Sequence, residues 1–218
     1  MHVNRTYIII IFFTFIFSSQ NEFEKISFKS SDPFSFRDVI LYLEDQTERD
    51  VVGILRFPDD KSKDKYPLII GVAGSLGWGE HHHEFLSMYR DMGIATFELQ
   101  SFKSRDVTST VGTQVDVTMA MMILDSYRAL DELANHPQIN KDRIAITGWS
   151  LGGGVTLFSG WKPVMDAIGS DYKFAAHLAF YPPCFAEPSN LEFTDSPIHI
   201  LIGEIDEWTP ADPCVELV

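Results

Sequence analysis

Apolar residues in this chain fall in short runs separated by charged or glycine-rich segments. Residues 39–43 and 51–57 are apolar stretches on either side of the charged segment 44–50, a spacing that predicts an antiparallel strand pair. Residues 67–73 (PLIIGVA) are continuously apolar with turn signals on both sides, as a central strand buried on both faces requires. A glycine-rich loop over 74–79 and a helical pattern over 82–92 follow. Residues 94–99 predict another buried strand, and 100–112 a polar loop without a period. Thr113 and Asp116 have the spacing of a capping box. That predicts a helix to about Asn135, with Val117, Met121, Leu124 and Leu133 on one stripe and Pro137 ending it. Beyond it, 143–147 predicts a strand, 151–159 a helix, and 174–181 and 198–202 two more strands. Repeated strand–helix units after an antiparallel pair imply an α/β fold, a mainly parallel sheet with helices on both faces.

The first twenty residues follow another pattern. Arg5 precedes an eleven-residue run, Tyr7 to Phe17, interrupted only by Thr14, and Ser18 and Ser19 are small residues suited to cleavage. This is the layout of a secretory signal peptide over residues 1–19. Spanning a bilayer takes about 20 apolar residues, so no stable membrane span is expected after cleavage. The expected destination is the periplasm or the extracellular space. Residues 21–32 read as a polar lead-in, and the folded domain is expected over residues 36–218.

Composition narrows the function. The chain has 218 residues and a formal net charge of −14, which repels phosphate backbones and argues against a nucleic-acid partner. Two cysteines are too few for a disulfide-framework fold and lack the spacing of a zinc site, and no metal site is expected.

The strongest chemical signal is Gly148-Trp149-Ser150-Leu151-Gly152. This G-x-S-x-G sits between a predicted strand and a predicted helix, the setting of a nucleophile elbow. The turn lifts the Ser150 hydroxyl above the sheet at a helix N-terminus, where developing negative charge is favoured. The backbone N–H of Leu151 is then one oxyanion donor. Gly74-Ser75-Leu76-Gly77 follows a central strand, and topology makes the N–H of Ser75 the second donor. Gly203-Glu204-Ile205-Asp206 follows the strand at 198–202, where an acid that orients a histidine belongs. Asp206 is the first choice there and Glu204 the reserve.

With these residues in view, the chain resembles the dienelactone hydrolase family of α/β-hydrolases. The matching stretches are RIAITGWSLGGG (143–154), HLAFYPPC (177–184), HILIGEIDEWTPADPC (199–214) and ELQSFKSRDVTST (98–110). The resemblance implies the fold and hydrolysis of ester-like carbonyl bonds, with a small ester or lactone as substrate and no cofactor. Founding members of the family carry a Cys nucleophile where this chain has Ser150. The family loop often reads Arg-Gly where this chain has Arg105-Asp106, and Arg105 is a candidate to steer a substrate carboxylate.

In this fold the triad runs Ser, acid, His, yet the twelve residues after Asp206 contain no His. His177 and His199 lie in predicted strands, His136 in a turn, and His81, His82 and His83 at a helix start. The chain is therefore read as C-terminally truncated, lacking the family's last strand and helix, and inactive as written for want of the imidazole. The expected function is a secreted serine hydrolase working through an acyl-enzyme. The alternative is a non-catalytic fragment or binding protein of the same fold.

Cys184 and Cys214 each follow one of two strands expected to be parallel neighbours. Both then fall at one edge of the sheet, and export makes a disulfide between them the expectation.

Overall fold

A computed structural model describes residues 23–60, 62–184 and 190–217; the signal peptide expected over residues 1–19 lies outside them. The strands are β1 (Phe23–Ser31), β2 (Glu48–Arg56), β3 (Tyr66–Val72), β4 (Ala95–Leu99), β5 (Ile139–Trp149), β6 (His177–Phe180) and β7 (Ile198–Leu201). They form one sheet in the order β1-β2-β4-β3-β5-β6-β7. β2 pairs antiparallel with β1 and β4, whereas β3 with β4, β3 with β5, β5 with β6 and β6 with β7 are parallel. The helices are α1 (Phe36–Leu41), α2 (Glu80–Asp91), α3 (Met119–Ala134), α4 (Leu151–Phe158), α5 (Lys162–Ile168) and α6 (Ala211–Leu217). The mainly parallel α/β sheet expected from the alternation is present.

Helices cover both faces. Alternate residues of a strand point to opposite sides, and β5 divides the core accordingly. Ile144 and Ile146 join the main cluster with Leu124, Leu130, Val155 and Phe158 from α3 and α4. Trp149 points the other way, into a second cluster with Leu86 and Tyr89 of α2. The chain leaves β3 for β4 on one side and returns to place β5 on the other. The crevice beyond the carboxyl ends of β3 and β5 is therefore the topological switch point, where sites form in such sheets.

Three local elements differ from the sequence expectation. The partner of β2 in the antiparallel pair is β1, drawn from the supposed lead-in and matched from Phe23↔Arg56 to Ser31↔Glu48. Phe28 and Ser30 face inward while Lys25 and Lys29 face out, a period-2 pattern in a segment poor in aliphatic residues. The strand expected at 39–43 is instead the end of α1 and a following turn of 3-10 helix. Ser35 caps α1: its hydroxyl accepts from the Asp38 N–H while the Asp38 carboxylate accepts from the Ser35 N–H. That capping box outweighs a short apolar run equally compatible with either element. Finally, α3 starts at the Thr118 cap, whose hydroxyl accepts from the Met121 N–H. Thr113 instead donates to the Asp116 carboxylate within the preceding loop.

Candidate active site

Ser150 stands between β5 and α4 with φ 55° and ψ −117°. A non-glycine residue there is strained by about 1–3 kcal/mol, and such strain persists only where its surroundings over-determine it. The two flanking glycines make it possible. A Cβ on Gly148 would lie 2.1 Å from the Gly152 carbonyl oxygen, and one on Gly152 would lie 2.2 Å from the Val72 carbonyl oxygen. No other residue type fits where strand, turn and helix approach this closely. The Ser150 N–H donates to the Phe180 carbonyl of β6 at 3.0 Å, and the Gly154 N–H donates to the Ser150 carbonyl at 2.9 Å. The half-buried side chain is thus held at the carboxyl end of the sheet.

The two expected oxyanion donors come from the two sides of this crevice. Leu151 opens α4, so its N–H has no partner inside the helix. Ser75 lies just past β3, and the Gly74 position is so close to Ser150 that a Cβ built on it would be 3.5 Å from the Ser150 Cβ.

Asp206 lies in the loop between β7 and α6. Its Oδ1 accepts from the Trp208 and Thr209 N–H groups, both at 2.9 Å, and its Oδ2 accepts from the Thr209 hydroxyl at 2.9 Å. The Thr209 and Trp208 backbone donors, then the Thr209 hydroxyl, lower its pKa below the ordinary carboxylate value. The group is therefore a fixed, ionised acceptor. Glu204 is exposed.

Tyr181, which the sequence analysis did not select, packs against the Trp149 cluster within electrostatic reach of Asp206. It follows β6 with φ 38° and its N–H donates to the Leu201 carbonyl. Burial first, then the charge of Asp206, raises the pKa of its phenol. Only the positive φ distinguishes it, and no sequence pattern carried that signal.

Arg105 has a different role from the substrate-steering one expected of it. Its Nε donates to Asp32 at 2.9 Å, its Nη1 to Asp125 at 2.7 Å and to the Ser101 carbonyl at 3.0 Å, and its Nη2 to Asp125 and the Ser31 carbonyl. All five donors of a guanidinium are directed at protein acceptors. The side chain is 4% exposed, which leaves nothing to meet a substrate carboxylate. Burial disfavours its charge, but Asp125 and then Asp32 outweigh that and raise its pKa above the ordinary value.

Four of the histidines are engaged elsewhere. His82 accepts the Gly79 N–H on Nδ1 and packs against Trp149, with ring centroids 4.7 Å apart. Burial, then His81 and His83, push its pKa down to about 4. His83 stacks on Trp78 and faces Glu98 at 3.4 Å. His136 faces Glu24, and His177 lies under α4 against the Thr156 carbonyl. Among the described residues no histidine is hydrogen-bonded to Ser150 or Asp206, and no group of three or more His, Cys, Asp or Glu is placed to hold a metal ion.

Cys184 and Cys214 are joined in a disulfide, with Cα atoms 5.0 Å apart. It ties the segment after β6 to α6. No helix among the described residues is long and apolar enough to cross a membrane.

A mainly parallel sheet with a serine elbow at its switch point defines the class, an α/β-hydrolase. The chain belongs to the acetyl xylan esterase (AXE1) family, whose model matches residues 17–180. It is thus a hydrolase of esterase type. None of the curated proteins matches it. Among solved structures, a dienelactone hydrolase-like promiscuous phosphotriesterase from metagenomic libraries is 15% identical, covers 88% of this chain and 74% of its own, and superposes with a TM-score of 0.61. Est1E from Butyrivibrio proteoclasticus is 16% identical over 78% of this chain and 79% of its own, with a TM-score of 0.58. Thermogutta terrifontis esterase 2 is 16% identical over 77% and 72%, also with a TM-score of 0.58. At these identities the likeness is one of fold, and it matches the dienelactone hydrolase resemblance read from the motifs.

Proposed function

We propose that this protein is an exported serine esterase that cleaves small ester or lactone substrates, acetyl esters of carbohydrate among them, through an acyl-enzyme. The observation that carries this reading is Ser150 held at φ 55° and ψ −117° in a glycine-walled turn facing Gly74. The Ser150 oxygen attacks the carbonyl carbon as an imidazole takes its proton, and Asp206 orients that imidazole. The oxyanion rests on the N–H groups of Leu151 and Ser75. The alcohol leaves, and water then frees the acid. The family's name supports an acetyl group, and a chain with a disulfide suits an oxidising compartment outside the cytosol.

On this reading the 218-residue chain by itself turns over slowly. A serine without an imidazole partner stays a protonated alcohol, and loss of a triad member costs about four or more orders of magnitude. The engagement of His82, His83, His136 and His177 elsewhere also favours a second reading, a non-catalytic binding protein of this fold. Short-chain aryl ester hydrolysis separates the two. The 218-residue chain and a form extended by a His-bearing C-terminal segment are assayed with and without Ser150→Ala. The esterase reading expects strong activity in the extended form, abolished by Ser150→Ala. An inactive extended form that still binds the ester favours the binding protein, and activity that survives Ser150→Ala places the nucleophile elsewhere.

A further inference from the structure

We propose that the loop after β4, through the Gln114 side chain and the Thr110 N–H, positions Ser75 so that its N–H points into the oxyanion site. This rests on the reading of Ser75 as the second oxyanion donor.

Ser75 is clamped on three sides. The Gly77 N–H donates to the Gly74 carbonyl at 2.9 Å. The Gly74–Ser75 peptide is planar and trans, so fixing its carbonyl toward Gly77 turns the Ser75 N–H the opposite way. The Thr110 N–H donates to the Ser75 carbonyl at 2.9 Å, which fixes the following peptide. The Gln114 Nε2 donates to the Ser75 hydroxyl at 3.1 Å, which fixes the side chain. Among the described residues the Ser75 N–H itself has no protein acceptor, as a group reserved for a ligand oxygen would not.

Two of the three clamps come from one loop, and that loop is itself held. Thr110 is fully buried. The Gln114 N–H donates to the Thr110 carbonyl at 2.9 Å, and Gln114 sits at φ 55°, in the left-handed region. The Thr108 carbonyl lies so close to Gly77 that a Cβ there would be 3.1 Å from it. The loop therefore covers both ends of the Gly74–Gly77 turn. Gln114 is a positioning residue because it touches Ser75 and none of the reacting atoms. An oxyanion donor is useful only if it aims at the charge that develops in the transition state, and a misplacement of about 1 Å can cost roughly a hundredfold.

The test uses an alkyl fluorophosphonate on the whole 218-residue chain at alkaline pH, so that it needs no complete triad. The Ser150 oxygen bonds to phosphorus, fluoride leaves, and the serine proton passes to solvent, while the phosphoryl oxygen takes up charge at the oxyanion donors. The maximal labelling rate and the half-saturating probe concentration are measured for Gln114→Ala, Ser75→Ala and the double variant. Gln114→Ala is expected to lower the maximal rate about tenfold and to leave the half-saturating concentration within about twofold. The double variant is expected to be no slower than either single one, because both remove the same contact. An unchanged maximal rate in Gln114→Ala, or losses that multiply in the double variant, overturns the brace while leaving Ser150 as the nucleophile. Labelling that persists in Ser150→Ala, or a form extended by the His-bearing segment that does not label, overturns the esterase reading itself.

Discussion

Arg105 and Asp125 meet as a two-pronged pair inside the protein, with Nη1 2.7 Å from Oδ2 and Nη2 3.1 Å from Oδ1. Asp125 is wholly withdrawn from water, and the Ser30 hydroxyl adds a bond to its Oδ1 at 2.6 Å. The pair fastens three segments together: β1 through Ser30 and Ser31, α3 through Asp125, and the loop that braces Ser75 through Arg105 itself.

Breaking this pair from one side leaves a buried charge uncompensated. Arg105→Ala is expected to destabilise the fold by about 3–5 kcal/mol, and Asp125→Ala by a similar amount. The double variant should cost less than the sum, since neither charge is then stranded. Urea unfolding of the three variants measures this, and strict additivity would contradict it.

His177 makes the fold acid-sensitive. It is buried beside Phe174, with the Thr156 carbonyl 2.9 Å from its Nδ1 and the Ser159 hydroxyl at 3.3 Å. Burial lowers its pKa to about 4. Above pH 6.5 the ring is neutral in both the folded and the unfolded chain, and this group adds no pH slope. As the pH falls from 6.5 toward 4, the unfolded chain takes up the proton and the folded one does not. Stability is lost across that window, on the order of 3 kcal/mol from this group. His177→Asn keeps a donor for the Thr156 carbonyl but cannot titrate. Its stability should vary less between pH 7 and pH 4.5 than that of the native chain, as urea midpoints at the two values will record.

The Cys184–Cys214 bridge closes a loop with a sequence separation of 30. In the chain-entropy account a loop of that size contributes about 3–4 kcal/mol. Cys214→Ser should lower the unfolding midpoint accordingly, and reductant should then have no further effect. Titration of the oxidised native chain should find no reactive thiol.

Much of the sheet and of the turn around Ser150 was legible in the residues because local chemistry dictates it. Glycine at 148 and 152 is required wherever a strand turns sharply into a helix around a serine. The continuous apolar run at 67–73, with turn signals on both sides, suits a strand covered on both faces, and β3 is that strand. The Cys184 and Cys214 pairing followed from the parallel order of the last two strands.

The remainder depended on contacts between distant segments, which no local pattern encodes. Residues 23–31 became a strand because β2 offered a matching edge. Residues 36–41 became a helix because the Ser35–Asp38 cap and a helical face presented to Phe158 and Trp161 outweighed strand propensity. The same physics decided Arg105, which in sequence is a cation in a polar loop. Only the folded chain brings Asp125 from α3 and Asp32 from beyond β1 to its guanidinium, and a buried charge must find its partners before it can serve a substrate. The brace on Ser75 is of the same kind, because Thr110 and Gln114 carry no periodic signal and act through positions some 35–40 residues from the serine they hold.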